Sequence, residues 1–169
     1  MTDIYEDIRS FTGSDWPEVW AILHETFARG DTYSFAPDSS ESDIHRAWID
    51  VPLRSYVACD ADGRVIGTYF IKPNQPGLGA HVCNCGYVVA PHVRGQGLAS
   101  LMCAHSQREA LALGFRAMQF NFVVASNEGA VRLWRKLGFD IVGRLPGAFK
   151  HAQLGYVDAL IMFKQLVAA

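Results

Sequence analysis

Val88-Val89-Ala90-Pro91-His92-Val93-Arg94-Gly95-Gln96-Gly97-Leu98-Ala99 is the stretch on which the reading of the fold turns. It reads as a buried strand running into a glycine-containing turn that opens a helix. The first turn of a helix carries unpaired N–H groups and the positive end of the helix dipole, so it suits a phosphate or pyrophosphate. Gly95 and Gly97 let the backbone come close to such oxygens, and the small Ala99 leaves the approach clear. The alternative is a strand-to-helix connection that binds nothing. Three phosphate-binding patterns compete here. A Walker loop needs Gly-Lys-Ser/Thr, and this turn has no lysine. Gly95-x-Gly97-x-x-Ser100 imitates a dinucleotide fingerprint but ends in serine, and the region that should carry its acid reads Met118-Gln119-Phe120-Asn121. The third pattern, Arg/Gln-x-x-Gly-x-Gly/Ala, is matched by Arg94, Gly97 and Ala99.

Working outward, the run Ala80–Ala90 is apolar enough for a buried strand, and a helix follows from Leu98 to Leu113, closed by Gly114. A strand over Ala117–Val124 leads to Ser126, read as the cap of a helix Asn127–Leu137 that Gly138 ends. Upstream, a strand near Tyr5–Phe11 precedes cap chemistry at Thr12–Asp15. Trp16, Val19, Trp20, Leu23 and Phe27 then recur at helical spacing up to Gly30. Asp31-Thr32-Tyr33-Ser34-Phe35 reads as a polar and aromatic loop, and a second helix covers Ser42–Asp50. Strands Ser55–Cys59 and Val65–Ile71 flank an Asp62-Gly63 hairpin, and Lys72–Gly79 is a loop rich in turn residues. Strands near Phe139–Arg144 and Gly155–Phe163 end the chain. The expected order is β-α-α-β-β-β-α-β-α-β-β in one α/β (α+β) domain over residues 1–169.

The chain has 169 residues, half of them apolar, 19% charged, with a net charge of −2. This composition excludes a disordered chain and suits one domain with a sizeable core. No apolar run reaches the ~20 residues that cross a bilayer, and the acidic start MTDIYEDIRS lacks the pattern of a signal peptide. The expectation is a cytoplasmic protein without a membrane partner. Absence of a Lys/Arg block argues against nucleic acid as a partner. Cys59, Cys83, Cys85 and Cys103 read as reduced core thiols, and no metal site is expected because no ligand-pair spacing is present.

The turn, the Val89-x-Pro91 before it, and Ser126-Asn127-Glu128-Gly129-Ala130…Leu133-Trp134-Arg135-Lys136-Leu137-Gly138-Phe139 after it together resemble the GNAT superfamily of acyl-CoA N-acyltransferases. The latter segment is similar to the family's Asn-x-x-Ala…Leu-Tyr-x-Lys-Leu-Gly-Phe. The match covers most of residues 55–165. Lys72–Gly79, Asn84-Cys85-Gly86-Tyr87, Gly143–Pro146 and Tyr156–Ala159 further resemble the azetidine-2-carboxylate (L-proline analogue) N-acetyltransferases. The resemblance implies a mixed central sheet of six to seven strands flanked by about four helices. It implies acetyl-CoA as cosubstrate, with backbone groups of Tyr87, Val88 and Val89 holding the pantetheine arm and the acetyl carbonyl. It assigns the pyrophosphate to the N–H groups of Arg94, Gly95, Gln96, Gly97, Leu98 and Ala99. Asn127 should bond the pantetheine or phosphate region, unless it serves only as a helix-start residue.

Asn84 and Asn121 lie in apolar strands, where Asn is depleted. An unpaired buried amide costs about 1–3 kcal/mol, so each needs a partner, either in a cleft or at a local break in the sheet. By the resemblance, their strands are parallel neighbours that separate where acetyl-CoA enters, and both amides orient the acceptor carboxylate or the thioester. The expected reaction is direct attack by a neutral amine in a ternary complex, with a backbone N–H near Val89 stabilising the oxyanion. Candidate proton acceptors are Glu25, Asp31, His81 and a water held by Asn84 or Asn121; His81 also reads as a structural strand-edge residue. Many family members have Tyr where this chain has Trp134, whose indole N–H is no practical proton source. Tyr87 or Tyr156 is then the substitute acid, or the thiolate takes its proton from water. Cys85 and Cys103 have no adjacent His/Asp arrangement to make them nucleophiles. The acceptor expected is a small amino or imino acid, the alternatives being a protein or peptide amine, or a non-catalytic acyl-CoA-binding module. Sheet edges in such a fold suit a homodimer.

Overall fold

The computed structural model describes residues 7–168. Its elements follow the order expected: β1 (Asp7–Ser10), α1 (Trp16–Ala28), α2 (Glu41–His45), β2 (Arg54–Cys59), β3 (Val65–Pro73), β4 (Val82–Val89), α3 (Leu98–Ala112), β5 (Ala117–Val124), α4 (Glu128–Lys136), β6 (Asp140–His151) and β7 (Gly155–Gln165). The strands form one sheet in the order β1-β2-β3-β4-β5-β7-β6. All neighbours are antiparallel except β4 and β5, which are parallel. Seven strands and four helices thus meet the expected mixed α/β architecture. Tyr5 and Glu6 of the first predicted strand lie outside the described residues.

A 3₁₀ turn over Gly13–Asp15 leads into α1 and opens in a capping box, where Thr12 N–H donates to the Asp15 carboxylate at 2.8 Å. Helix α1 buries Val19, Ile22, Leu23 and Phe27, while Trp16 and Trp20 stay partly exposed at its margin. Helix α2 runs on as a π-helical turn over Arg46–Asp50 that seats Trp48 in the core. The Trp48 indole donates to Thr68 Oγ1 at 3.1 Å, and Thr68 in turn donates to the Tyr56 carbonyl at 2.9 Å, so each buried polar group is paired.

Several boundaries differ from the sequence reading. β6 extends to His151, seven residues past the predicted Arg144, through Gly143, Pro146 and Gly147. Register shifts absorb these residues, and Asp158 accepts from the Gly147 N–H at 2.9 Å while pairing Arg144 at 2.7 Å. The cap of α4 is Asn127, not Ser126: its side chain accepts from Ala130 N–H at 3.3 Å. β4 starts at Val82 rather than Ala80, because a short 3₁₀ turn occupies Gly77–Gly79.

Candidate active site at the parting of two parallel strands

β4 and β5 pair at Val82↔Ala117 and Cys83↔Met118, and then part. The backbone of a strand alternates, so the N–H and C=O of one residue face one neighbour and those of the next face the other. Ala90 N–H donates to Ile66 O on the β3 side at 2.8 Å. By alternation Val88 and Asn84 also turn their main-chain groups to β3, whereas Cys85, Tyr87 and Val89 turn theirs into the opening. The Tyr87 carbonyl confirms the phase: it accepts from the Tyr33 hydroxyl at 2.9 Å, not from β3. Of the three residues expected to offer backbone groups, Tyr87 and Val89 therefore present N–H donors to the opening. Val88 lines the adjoining cavity but directs its N–H to β3.

Beyond Val89 the chain makes a 3₁₀ turn over Pro91–Val93 and reaches Gly95 and Gly97 at φ 75° and 87°. These are left-handed conformations that a Cβ would strain, and the space beside both glycines is open to 4 Å. Gly97 caps α3 with no side-chain hydrogen bond, so the N–H groups of Gly97, Leu98, Ala99 and Ser100 are left for a ligand or water. The buried Leu98 side chain anchors the turn. Arg94 departs from the expected set: its N–H donates to Pro91 O at 3.3 Å, and its guanidinium leans on Thr26 Oγ1 at 3.4 Å. Gln96 uses its side-chain amide to hold the His92 carbonyl at 3.2 Å. The open amides and the empty space beside the glycines fit a coenzyme A diphosphate.

Two cavities adjoin the opening and share Thr32, Tyr33, Tyr87 and Asn127 in their walls. The first, about 360 Å³, is polar, with Arg29, Asp31, Arg94 and His151 around it. The second, about 430 Å³, is lined by aromatic rings (Tyr33, Phe70, Trp134 among them), with Lys72, Asn84 and Asn121. Loop 31–35 forms the wall common to both. It is held from behind by the hairpin of β6 and β7, where Ala152 N–H donates to Gly30 O at 3.0 Å. Phe27 and Trp48 pack edgewise on the Tyr33 ring. Burial pushes the Tyr33 hydroxyl far above the usual phenol range, so it stays protonated and donates.

Asn84 and Asn121 are brought to the same cavity, as the sequence suggested. Asn84 Nδ2 donates to Gln119 O at 3.0 Å, bridging the strands just where their ladder ends. Asn121 is exposed rather than buried, and it bonds Asn74 at 2.6 Å and Gln119 at 2.9 Å. Asn127 both caps α4 and lines the two cavities, so its two readings coexist. His81 is exposed ahead of β4 and lines neither cavity; its carbonyl accepts from Arg116 N–H at 2.8 Å. Glu25 is exposed on α1, outside both cavity walls, whereas Asp31 lines the first and pairs with Arg29 at 3.4 Å.

The expected acids fare differently. Tyr87 turns its hydroxyl toward α3, where it bonds Ser106 Oγ at 2.6 Å, and burial raises it far above the phenol range. Tyr156 is 74% exposed and lines neither cavity. Trp134 reaches the wall of the second cavity while packing on Tyr87, Phe120 and Phe139. Burial raises the thiols of Cys85 and Cys103, which keeps both as neutral core groups. Sequence reasoning passed over Tyr33, Phe70 and Lys72, which reach the site from a loop and from β3.

A sequence model of the acetyltransferase (GNAT) family matches residues 4–139. The N-acetyltransferase aca1 of Schizosaccharomyces pombe is 37% identical over 98 residues, which are 57% of this chain and 47% of that protein. A mycothiol acetyltransferase of Mycobacterium sp. (strain MCS) is 30% identical over 134 residues, 75% of this chain and 43% of that protein. The chain spans less than half the length of these curated relatives. Among solved structures, a GCN5-related N-acetyltransferase from Kribbella flavida superposes with a TM-score of 0.89 at 37% identity, over 94% of this chain and 96% of that one. A phosphinothricin acetyltransferase from Sinorhizobium meliloti, solved with acetyl-CoA, shares the fold at 20% identity, with a TM-score of 0.84 over 96% of this chain and 89% of that one. With its open strand pair and its glycine-bearing turn in place, the chain belongs to the acetyltransferase (GNAT) family, whose enzymes draw their acetyl group from acetyl-CoA.

Proposed function

We propose that this chain transfers an acetyl group from acetyl-CoA to the amine of a small amino or imino acid, in the manner of the azetidine-2-carboxylate type. The observation that carries this reading is the second cavity, about 430 Å³, which brings Tyr87 together with the side-chain amides of Asn84 and Asn121. That volume is on the scale of small-molecule sites.

Acetyl-CoA supplies the activated acyl group. The amides of Gly97 through Ser100 grip its diphosphate, and Asn127 meets the arm near the opening. The Tyr87 and Val89 N–H groups face the thioester carbonyl and stabilise the negative charge that grows there on attack. Holding amine and thioester in contact supplies a large part of the acceleration. Among the side-chain base candidates read from sequence, Asp31 alone lines a cavity, the first one, which shares its Thr32–Tyr33 wall with the acceptor cavity, and we assign to it the proton that the amine releases. Trp134 packs the far wall and moves no proton, so the departing thiolate is protonated from water.

Coenzyme A release measured across free amino acids, cyclic imino acids and peptides tests this reading, with Asn84→Ala alongside. Release with free acids, reduced about tenfold in the variant because a cleft amide has lost its bond, is the expected result. Release with peptides alone overturns it, and equal release by wild type and variant removes Asn84 from the site.

A further inference from the structure

We propose that Lys72 is the residue that recognises the acceptor's anionic group, so that the substrate class is an amine carrying a free carboxylate. The inference rests on the acetyl-transfer reading above and adds a specificity residue to it. Lys72 sits near the end of β3, directly across from Asn84 in the β3–β4 register. Of the twenty residues lining the second cavity, it is the sole charged one. Its ammonium lies 5.4 Å from the centroid of the Phe70 ring, another wall residue, so the cation is held along the cavity. Among the described residues it enters no ion pair.

Lys72 is half-buried, with its ammonium beside the Phe70 ring and no countercharge in the cavity wall. A carboxylate entering the cavity supplies that charge, and the Asn84 and Asn121 amides beside it offer neutral polar contacts. The first cavity is built differently, since its Arg29 already has Asp31 as a partner at 3.4 Å. The diphosphate cradle at α3 lies past the other end of β4, so Lys72 is not placed to serve the coenzyme's phosphates. An amine lacking a carboxylate would leave the cation unanswered, and selectivity follows from that difference.

The test compares kcat/KM for azetidine-2-carboxylic acid and a panel of free amino acids with kcat/KM for the carboxamide of each, in wild type, Lys72→Met and Lys72→Arg. A hydrogen bond to a charged group contributes about 1.5–3 kcal/mol, so the acid-to-amide preference should fall about 10- to 100-fold in Lys72→Met, chiefly through KM. Lys72→Arg should restore most of that preference. An acid-to-amide ratio that is the same in wild type and Lys72→Met, with free acids still accepted, overturns the Lys72 assignment alone. A wild-type enzyme that accepts amides or peptides but no free acid overturns the acceptor reading together with it.

Discussion

The two halves of the site are made of different material. In the proposed reading the coenzyme side, from Tyr87 to Ser100, works with main-chain amides set by one strand edge and two left-handed glycines. The proposed acceptor side works with side chains, Tyr33, Phe70, Lys72, Asn84 and Asn121, contributed by one loop and three strands. A site of amides is written in a few consecutive residues and tolerates changes of side chain around it. A site of side chains depends on contacts distant in sequence, so it can change its substrate while the fold stays constant.

Replacing Gly97 by valine should expose this difference most strongly. A β-branched residue at φ 87° is strained by about 1–3 kcal/mol, which shifts the turn and lowers acetyl-CoA affinity by up to about 100-fold. Calorimetric titration of the variant checks this, and an affinity within a factor of about two of wild type would break the contrast.

That half of the site was also the legible half. Gly95 and Gly97 announce a backbone conformation that other residues avoid, and the neighbouring Pro91 and Leu98 mark where strand gives way to helix. Asn84 and Asn121 were visible as amides in apolar strands, and both reach the second cavity. Tyr33 was not visible, because its place depends on Gly30 accepting from Ala152, a contact spanning the chain. Lys72 lay in a segment read as a turn-rich loop, while β3 in fact continues through it to Pro73. The hydroxyl of Tyr87 illustrates the limit: alternation decides its face, and that face belongs to α3 and Ser106.

On the acceptor side, Tyr33→Phe sharpens the comparison. The change removes the donor to Tyr87 O, leaving a carbonyl beside the opening without its partner. Catalytic efficiency should fall about tenfold, with a smaller loss in acetyl-CoA affinity, since the cost of one lost hydrogen bond is about 1–3 kcal/mol. Steady-state kinetics with the best acceptor, beside a coenzyme titration, separates these effects. An equal loss in both would mean that Tyr33 serves the coenzyme half.

The smallest effect belongs to a place outside both halves. Asp15 holds Arg9 through contacts of 2.8 and 2.9 Å, and this pairing keeps its carboxyl at about 2. A carboxyl lowered in the folded state stabilises the fold above its unfolded pKa, and that contribution fades as pH falls from about 4 to 2. Asp15→Asn should therefore lower stability at pH 7 by about 1–2 kcal/mol, with the difference vanishing near pH 2 in denaturant titrations. A pH-independent difference would show that the carboxylate's charge is not what matters.

Amide-resolved hydrogen exchange with and without acetyl-CoA tests most directly whether main-chain donors hold the coenzyme. Slowed exchange at Gly97 through Ser100 and at Tyr87 and Val89, with little change at Val88, is the expected result. Saturating acetyl-CoA that leaves those amides unprotected would contradict it.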